Sequence, residues 1–376
     1  MTFTRSAIFT ALLFAVCSIT SFAQSGRVQQ KPTPTPQDDT VRVSTEEIKL
    51  NVLAFDQSGN FFQNVTERDL VITENDILHQ PTSVRRISAN VLIVLDTGGE
   101  LRAVKSLDWT RRVARSVVGA LAPDDAVTIM QYSDTAEIVD EWTTDKAQTM
   151  AAISKRTTFG RRSVFVDALR IATDLLLRNP LENRHLVLIT DGTDSLGRSS
   201  AKFDAFQRLL ATDISVHVIS YTLMESADIE PRTKGISKSP PPKAMPDEVA
   251  AGLPNGARDS AQAPKMGPTI NLDRTLVRKM KARQADLEAS QEQLEKAAEG
   301  SNGVFILPLS TDEMLLKGPQ VAKMIDASYV VTYTPKIPVS ETRGIATRII
   351  DVTSKRSGLI IQARRKLLIN TRPAIK

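Results

Sequence analysis

The chain has 376 residues, with 48 lysines and arginines against 43 acidic residues, a net charge of +5 and one cysteine. That length can bury a sizeable core and allows more than one domain. A lone cysteine excludes an internal disulfide, and a small basic excess spread along the chain marks no nucleic-acid module.

The first 23 residues read as a secretory signal peptide. Arg5 supplies the positive start, Ala7 to Val16 the apolar stretch, and Ser21-Phe22-Ala23 the cleavage site. The stretch is too short to span a membrane. Cleavage after Ala23 leaves Gln24 first and predicts a secreted or periplasmic protein. Cys17 lies inside the signal, so the mature chain would have no thiol nucleophile. Val16, beside it, is too bulky for a lipoprotein acylation site. Residues 24–40 are polar and contain Lys31-Pro32-Thr33-Pro34-Thr35-Pro36, an extended linker.

From 41 to 88 the pattern is that of a small β module. Ile48-Lys49-Leu50-Asn51-Val52 alternates apolar and polar residues, Asp56 to Asn60 forms a turn, and Leu70 to Thr73 is a second strand. Over residues 89–326 strands alternate with helices. The strands are Val91–Leu95, Val127–Tyr132, Ala136–Trp142, His185–Thr190, Val216–Tyr221 and Val304–Leu307. The helices are Val104–Leu121, Ser163–Leu177, Lys202–Leu210, Leu276–Ala298 and Asp312–Ala327. Such alternation predicts an α/β fold with a Rossmann-like, doubly wound, mostly parallel sheet. Residues 226–269 interrupt it with Pro240-Pro241-Pro242 and few large apolar side chains, which predicts a disordered insertion. Strands follow at Tyr329–Thr334, Ile349–Thr353 and Leu359–Ala363. Residues 327–370 are expected to complete the N-terminal β module, so that the α/β domain is inserted in a β sandwich.

Little here points to catalysis. The histidines are His79, His185 and His217, and two of them lie in strands. H-E-x-x-H, G-x-S-x-G and phosphate-loop motifs are absent from the sequence. The acids Asp124 and Asp125 sit in a turn, where aspartate is at home. A non-enzymatic protein is the reading.

Two apolar strands end on carboxylates. Val91 to Leu95 stops at Asp96, and Leu186 to Ile189 leads to Thr190-Asp191-Gly192. Ligands of open α/β sheets bind beyond the carboxyl ends of the strands. With Ser163 in a loop between them, the acids suggest a shared site for a hard cation. Helix capping by each Asp is the alternative.

These residues resemble the von Willebrand factor A domain, over roughly residues 88 to 326. That family binds a divalent metal through a D-x-S-x-S loop, a distant Thr and a distant Asp. Here Asp96-Thr97-Gly98-Gly99-Glu100 stands at the loop, Ser163 at the Thr and Asp191 at the last Asp. The order of β-strand, Asp-x-x-Gly turn, Thr73-Glu74-Asn75 and the closing Tyr329 to Pro335 resembles secreted acidobacterial "VWFA-related" proteins. The resemblance implies Mg²⁺ or Mn²⁺ held by Asp96, Glu100, Ser163 and Asp191. It also implies a protein or extracellular-matrix-type partner meeting the upper rim at Gly98, Glu100, Ser163, Thr193 and Asp194, with Trp109 and Phe165 as apolar neighbours. Both loop serines are missing, so the metal site reads as degenerate, with metal bound weakly or not at all. An alternative is a structural component of a cell-envelope complex without an exchangeable ligand; a hydrolase-like enzyme is a third reading.

Overall fold

A computed structural model describes residues 46–99, 105–178, 182–241, 254, 266–341 and 345–370. The expected signal peptide and linker, and Glu100, lie outside the described residues.

The described chain begins with β1 (Ile48–Phe55), β2 (Leu70–Glu74), β3 (Ile77–His79) and β4 (Ser83–Arg85). It then enters an α/β domain through β5 (Asn90–Asp96), α1 (Leu107–Ala120), β6 (Ala126–Tyr132), β7 (Ala136–Thr143), α2 (Lys146–Arg156), α3 (Phe165–Arg178), β8 (Arg184–Thr190), α4 (Ser199–Leu210), β9 (Ser215–Ser220) and α5 (Thr222–Ile229). After the short strands β10 (Ile236–Ser237) and β11 (Thr269–Ile270) come α6 (Arg274–Gly300), β12 (Phe305–Ile306) and α7 (Thr311–Asp326). The chain ends in β13 (Ser328–Tyr333), β14 (Ile345–Ser354), β15 (Ile360–Ala363) and β16 (Lys366–Asn370).

The six-stranded sheet runs β12-β9-β8-β5-β6-β7. Its neighbours pair parallel except β6 and β7, which pair antiparallel. Strand β5 shows why helices cover both faces. Val91, Ile93 and Leu95 pack with α1, α2 and α7, whereas Leu92 and Val94 pack with α3, α4 and α6. Side chains alternate across a strand, so a continuous apolar run needs two apolar layers. Helix α1 buries Val113, Ala114, Val117 and Val118, one stripe at helical spacing. Its start is fixed by Ser106, whose Oγ accepts from the Trp109 backbone N–H at 3.2 Å. The doubly wound α/β class read from the sequence is the observed one.

Strands from the two ends of the sequence share two antiparallel sheets, β15-β1-β13-β4 and β16-β14-β2-β3. Ile48, Leu50 and Val52 of β1 with Tyr329, Val331 and Tyr333 of β13 bury one face. They meet Leu70 and Ile72 of β2 and Ile350 and Val352 of β14 in one core. The period of two along each strand makes this a sandwich. It docks at the N-terminal ends of the central strands. Asn51 Nδ2 donates to Ser215 Oγ at 3.1 Å, and Asn302 Nδ2 donates to the Asn51 carbonyl at 2.9 Å. Lys49 and Arg85 both pair with Glu182, each at 2.5 Å. The Arg364 guanidinium donates to the carbonyls of Leu210 and Thr212, and burial pushes it down to about 10.

Part of the expected insertion is built structure. Residues 226–229 continue helix α5, Glu230–Arg232 form a 3-10 turn, and β10 pairs with β11 through Ile236–Ile270 and Ser237–Thr269. Ile229 and Pro231 are buried there, and Asn271 Nδ2 donates to the Pro231 carbonyl at 2.9 Å. A few well-placed apolar side chains offset the ordering entropy, which the average composition of the segment does not reveal. The disordered-insertion expectation is therefore corrected for residues 226–241 and 266–269; residues 242–253 and 255–265 lie outside the described residues. Helix α2 and strands β3, β4 and β16 were not foreseen. Helix α2 buries little beyond Thr149, Ala152 and Ile153, too weak a stripe to stand out.

Candidate functional site

Strands β5 and β8 are hydrogen-bonded neighbours, which brings Asp96 and Asp191 together beyond their carboxyl ends. Both are buried: Asp96 is 1% exposed and Asp191 is 0% exposed. Ser163 reaches them from the loop before α3, its Oγ donating to Asp96 Oδ1 at 3.2 Å. The three strand-end groups expected to converge do so.

A cation is already among them. Lys105, the residue before the α1 cap, places its Nζ 2.7 Å from Asp96 Oδ2 and 3.1 Å from Asp191 Oδ2. It is 4% exposed. Arg283 of α6 adds a second charge: its Nη2 lies 3.1 Å from Asp191 Oδ2 and 2.7 Å from Glu225 Oε1. Arg283 Nη1 donates to Thr193 Oγ1 at 2.7 Å.

Every oxygen of the two acids has a protein donor. Asp96 Oδ1 accepts from Ser163 Oγ and, at 3.3 Å, from the Gly98 N–H; Oδ2 accepts from Lys105 and, at 3.2 Å, from Thr190 Oγ1. Asp191 Oδ1 accepts from the Thr193 N–H and Oγ1, both at 2.7 Å, while Oδ2 faces Lys105 and Arg283. The electrostatics follow. Burial pushes the Asp191 carboxyl up, but Lys105 and Arg283 outweigh it and hold it well below the usual carboxylate range. Burial raises Asp96, with Lys105 opposing and the nearby Asp191 charge adding to the rise. Burial would lower Lys105, yet Asp191, Asp96 and Glu225 together hold its ammonium above the ordinary lysine range.

The same rim is stitched from several loops. The Gly160 N–H donates to the Thr97 carbonyl at 3.1 Å, and the Val164 N–H to the Ser133 carbonyl at 3.1 Å. The Ser195 N–H donates to the Ser163 carbonyl at 2.8 Å, and the Ser163 N–H returns a bond to Ser195 Oγ at 2.8 Å. Gly98 lies under this seam. A Cβ there would stand 1.7 Å from the Arg162 carbonyl oxygen and 2.7 Å from Ser133 Cα. Gly192 turns at φ +69°, and a Cβ there would meet Leu294 of α6 at 2.8 Å.

Residues 91–193 match the family model of the von Willebrand factor type A domain. The chain carries a von Willebrand factor type A domain. No curated protein matches the chain. Among solved structures, an aerotolerance-related membrane protein from Bacteroides fragilis NCTC 9343 is 17% identical, with 64% of this chain and 99% of that one covered and a TM-score of 0.38. A von Willebrand factor type A protein from Catenulispora acidiphila is 9% identical over 87% of this chain and 74% of that one, with a TM-score of 0.40. The manganese-loaded TRAP protein from Plasmodium vivax is 10% identical over 85% and 97%, with a TM-score of 0.33.

The residues of this A domain do not fit the divalent ion that the family resemblance implied. Mg²⁺ requires about six oxygen ligands at roughly 2.1 Å. Here the facing carboxylate oxygens are engaged by an ammonium and a guanidinium, and Gly98 supplies no hydroxyl and has no room for one. Among the described residues no group of three or more His, Cys, Asp or Glu is placed to hold a metal ion. Glu100, the expected substitute ligand, lies outside the described residues.

The expected partner-facing residues are mostly internal. Gly98, Ser163 and Thr193 are buried, and the Asp194 side chain is 3% exposed, accepting from Arg198 and from the Val166 N–H. Phe165, expected as an apolar rim residue, is instead 1% exposed and packs between Tyr132 and Phe206. Trp109 is half-buried beneath the Arg112 guanidinium. Among the described residues the rim exposes, among others, Asp134, Arg161, Arg162, Ser195 and Leu196. Sequence reasoning missed Lys105, Glu225 and Arg283. The one available signal was a lysine directly before the Ser106 cap, nine residues after Asp96.

Proposed function

We propose that this is an exported, non-enzymatic protein-binding module that meets its partner through the A-domain rim. Domains of this family are often adhesion or protein-interaction modules, and among the described residues no helix is long and apolar enough to cross a membrane. The observation that carries the reading is the placement of the rim. Its loops are bonded into one platform at the carboxyl ends of the strands, while the sandwich docks at the opposite, N-terminal ends. The platform is therefore clear of the protein's own second layer. Gly98, Ser163, Thr193 and Asp194 hold it rigid from beneath. Contact falls to Arg161, Arg162 and Leu196, the last 49% exposed, a pairing of cationic and apolar groups suited to an acidic protein surface with an apolar centre. No divalent metal takes part.

The test is capture from the source organism's envelope and culture medium, using the exported chain as bait. Proteins retained by the wild type should also be retained in chelator and should be lost with the triple variant Arg161→Glu, Arg162→Glu, Leu196→Glu. Capture that survives the triple variant, or that disappears in chelator, would sink the reading. Export is checked separately: N-terminal sequencing should find Gln24 first, and an intact Met1 would count against it.

A further inference from the structure

We propose that Lys105 is a built-in cation that occupies the strand-end site between Asp96 and Asp191, so that this A domain is loaded permanently and does not respond to divalent metal. Three observations on separate elements carry it. The first is position: the Lys105 ammonium bridges Oδ2 of each acid, at 2.7 and 3.1 Å, while Ser163 holds the other oxygen of Asp96. The second is charge. Two cations from the chain itself, Lys105 and Arg283, are set among the three acids Asp96, Asp191 and Glu225. A bare pair of acids would need an external ion; here the chain supplies its own. The third is space. Gly98 lies against the Arg162 carbonyl, so the loop is closed down where a hydroxyl ligand would otherwise enter.

The arrangement also explains why the lysine is held. An ammonium carries three donors on a flexible stem, and two of them are spent on charged acceptors here. The stem is anchored by the adjoining α1 cap at Ser106. Expelling it would leave two facing carboxylates buried and strand a charge, both costly. A divalent ion arriving from solution must do this work before it binds, whereas an ion entering a site of carboxylates and hydroxyls need not. The inference concerns the site alone and does not depend on partner binding at the rim.

Two measurements on the intact exported chain test it. In the first, thermal unfolding and calorimetric titration are run with Mn²⁺ as the probe, against chelator. The wild type should show the same melting temperature in both and no binding heat at millimolar Mn²⁺. The variant Lys105→Ala should melt lower and should regain several degrees with Mn²⁺, because removal of the tethered cation vacates a site that a free one can enter. Saturable Mn²⁺ binding by the wild type would overturn the proposal. So would a folded Lys105→Ala chain that gains nothing from Mn²⁺. In the second, which needs no variant, the native protein is acetylated and mapped by mass spectrometry. Lys105 should react at least about tenfold more slowly than Lys296, which is 69% exposed on its side chain, and the difference should vanish in denaturant. Equal labelling of the two lysines in the native protein would show that the ammonium is not held in the site, even if Lys105→Ala fails to fold.

Discussion

Gly98 shows how a single missing Cβ changes what a site can become. The loop sequence invites the idea of restoring the family's hydroxyl with serine, yet the Cβ would sit 1.7 Å from the Arg162 carbonyl oxygen. We therefore expect Gly98→Ser to destabilise by about 3 kcal/mol or more and to confer no metal binding. Chemical denaturation and Mn²⁺ titration check both halves; a stable variant that binds Mn²⁺ would mean the loop yields easily. The acids Asp96 and Asp191 were legible because each ends an apolar strand, and topology then forces adjacent strand ends together. Ser163 was legible from its loop between the two strand ends, and the family resemblance gave it a ligand position. Lys105 was not legible, because a lysine at the start of an amphipathic helix looks like any solvated charge. Its burial depends on where the chain turns after β5, which no local pattern records.

At the scale of elements, α6 is the brace of the site. It is a 27-residue helix whose exposed face is highly charged, yet Leu287, Leu294, Ala297 and Ala298 are buried and Leu294 packs against Gly192. Arg283, on the same helix, bridges Asp191 and Glu225. Arg283→Ala should cost roughly 3 kcal/mol, since it leaves buried acids short of a cation. Arg283→Lys should recover only part, because a single ammonium cannot reproduce the forked contacts to Thr193, Asp191 and Glu225. Urea unfolding of the three chains would show it; equal midpoints for wild type and Arg283→Ala would contradict the brace. The helix itself was readable from its length and from Leu287 and Leu294, but Arg283 was hidden among its many charges. Helix α5 was hidden for the opposite reason: Met224 and Ile229 are too few to lift the average apolarity of a Pro- and Lys-containing stretch.

At the scale of the whole molecule, one buried pair sets an acid limit. His185 on β8 and His217 on β9 stack at 5.3 Å between ring centroids. His185 Nε2 donates to Asn183 Oδ1 at 2.8 Å, and its Nδ1 shares a hydrogen bond with His217 Nε2 at 3.0 Å. Burial favours the neutral form of both rings. Burial pushes His217 down to about 3, and burial, with the repulsion that two protonated rings would feel, pushes His185 well below the usual range. The sign follows from a depressed folded-state value. The unfolded chain takes up protons below about pH 6.5 while the folded one does not, so stability is full above that point and falls toward pH 3. By pH 5 the loss from His217 alone should be about 2 kcal/mol, and His185 adds to it in the same direction. Urea midpoints at pH 7.5 and 5.0 measure it, and His217→Leu should flatten the dependence; an unchanged slope would assign the acid sensitivity elsewhere.

The sandwich carries a consequence for how the chain reaches this state. Ile48 on β1 pairs with Tyr333 on β13, and Leu70 on β2 pairs with Ser354 on β14. The entire A domain lies between the partners in sequence. During synthesis β1 emerges without β13 or β15, and β2 has only its hairpin partner β3 until β14 follows, while every strand of the A-domain sheet is made before those late partners. The order of assembly is then inner before outer. Pulsed hydrogen exchange during refolding should show β5 and β8 protected before β1 and β2, and the late step should be the one most exposed to strand-edge aggregation.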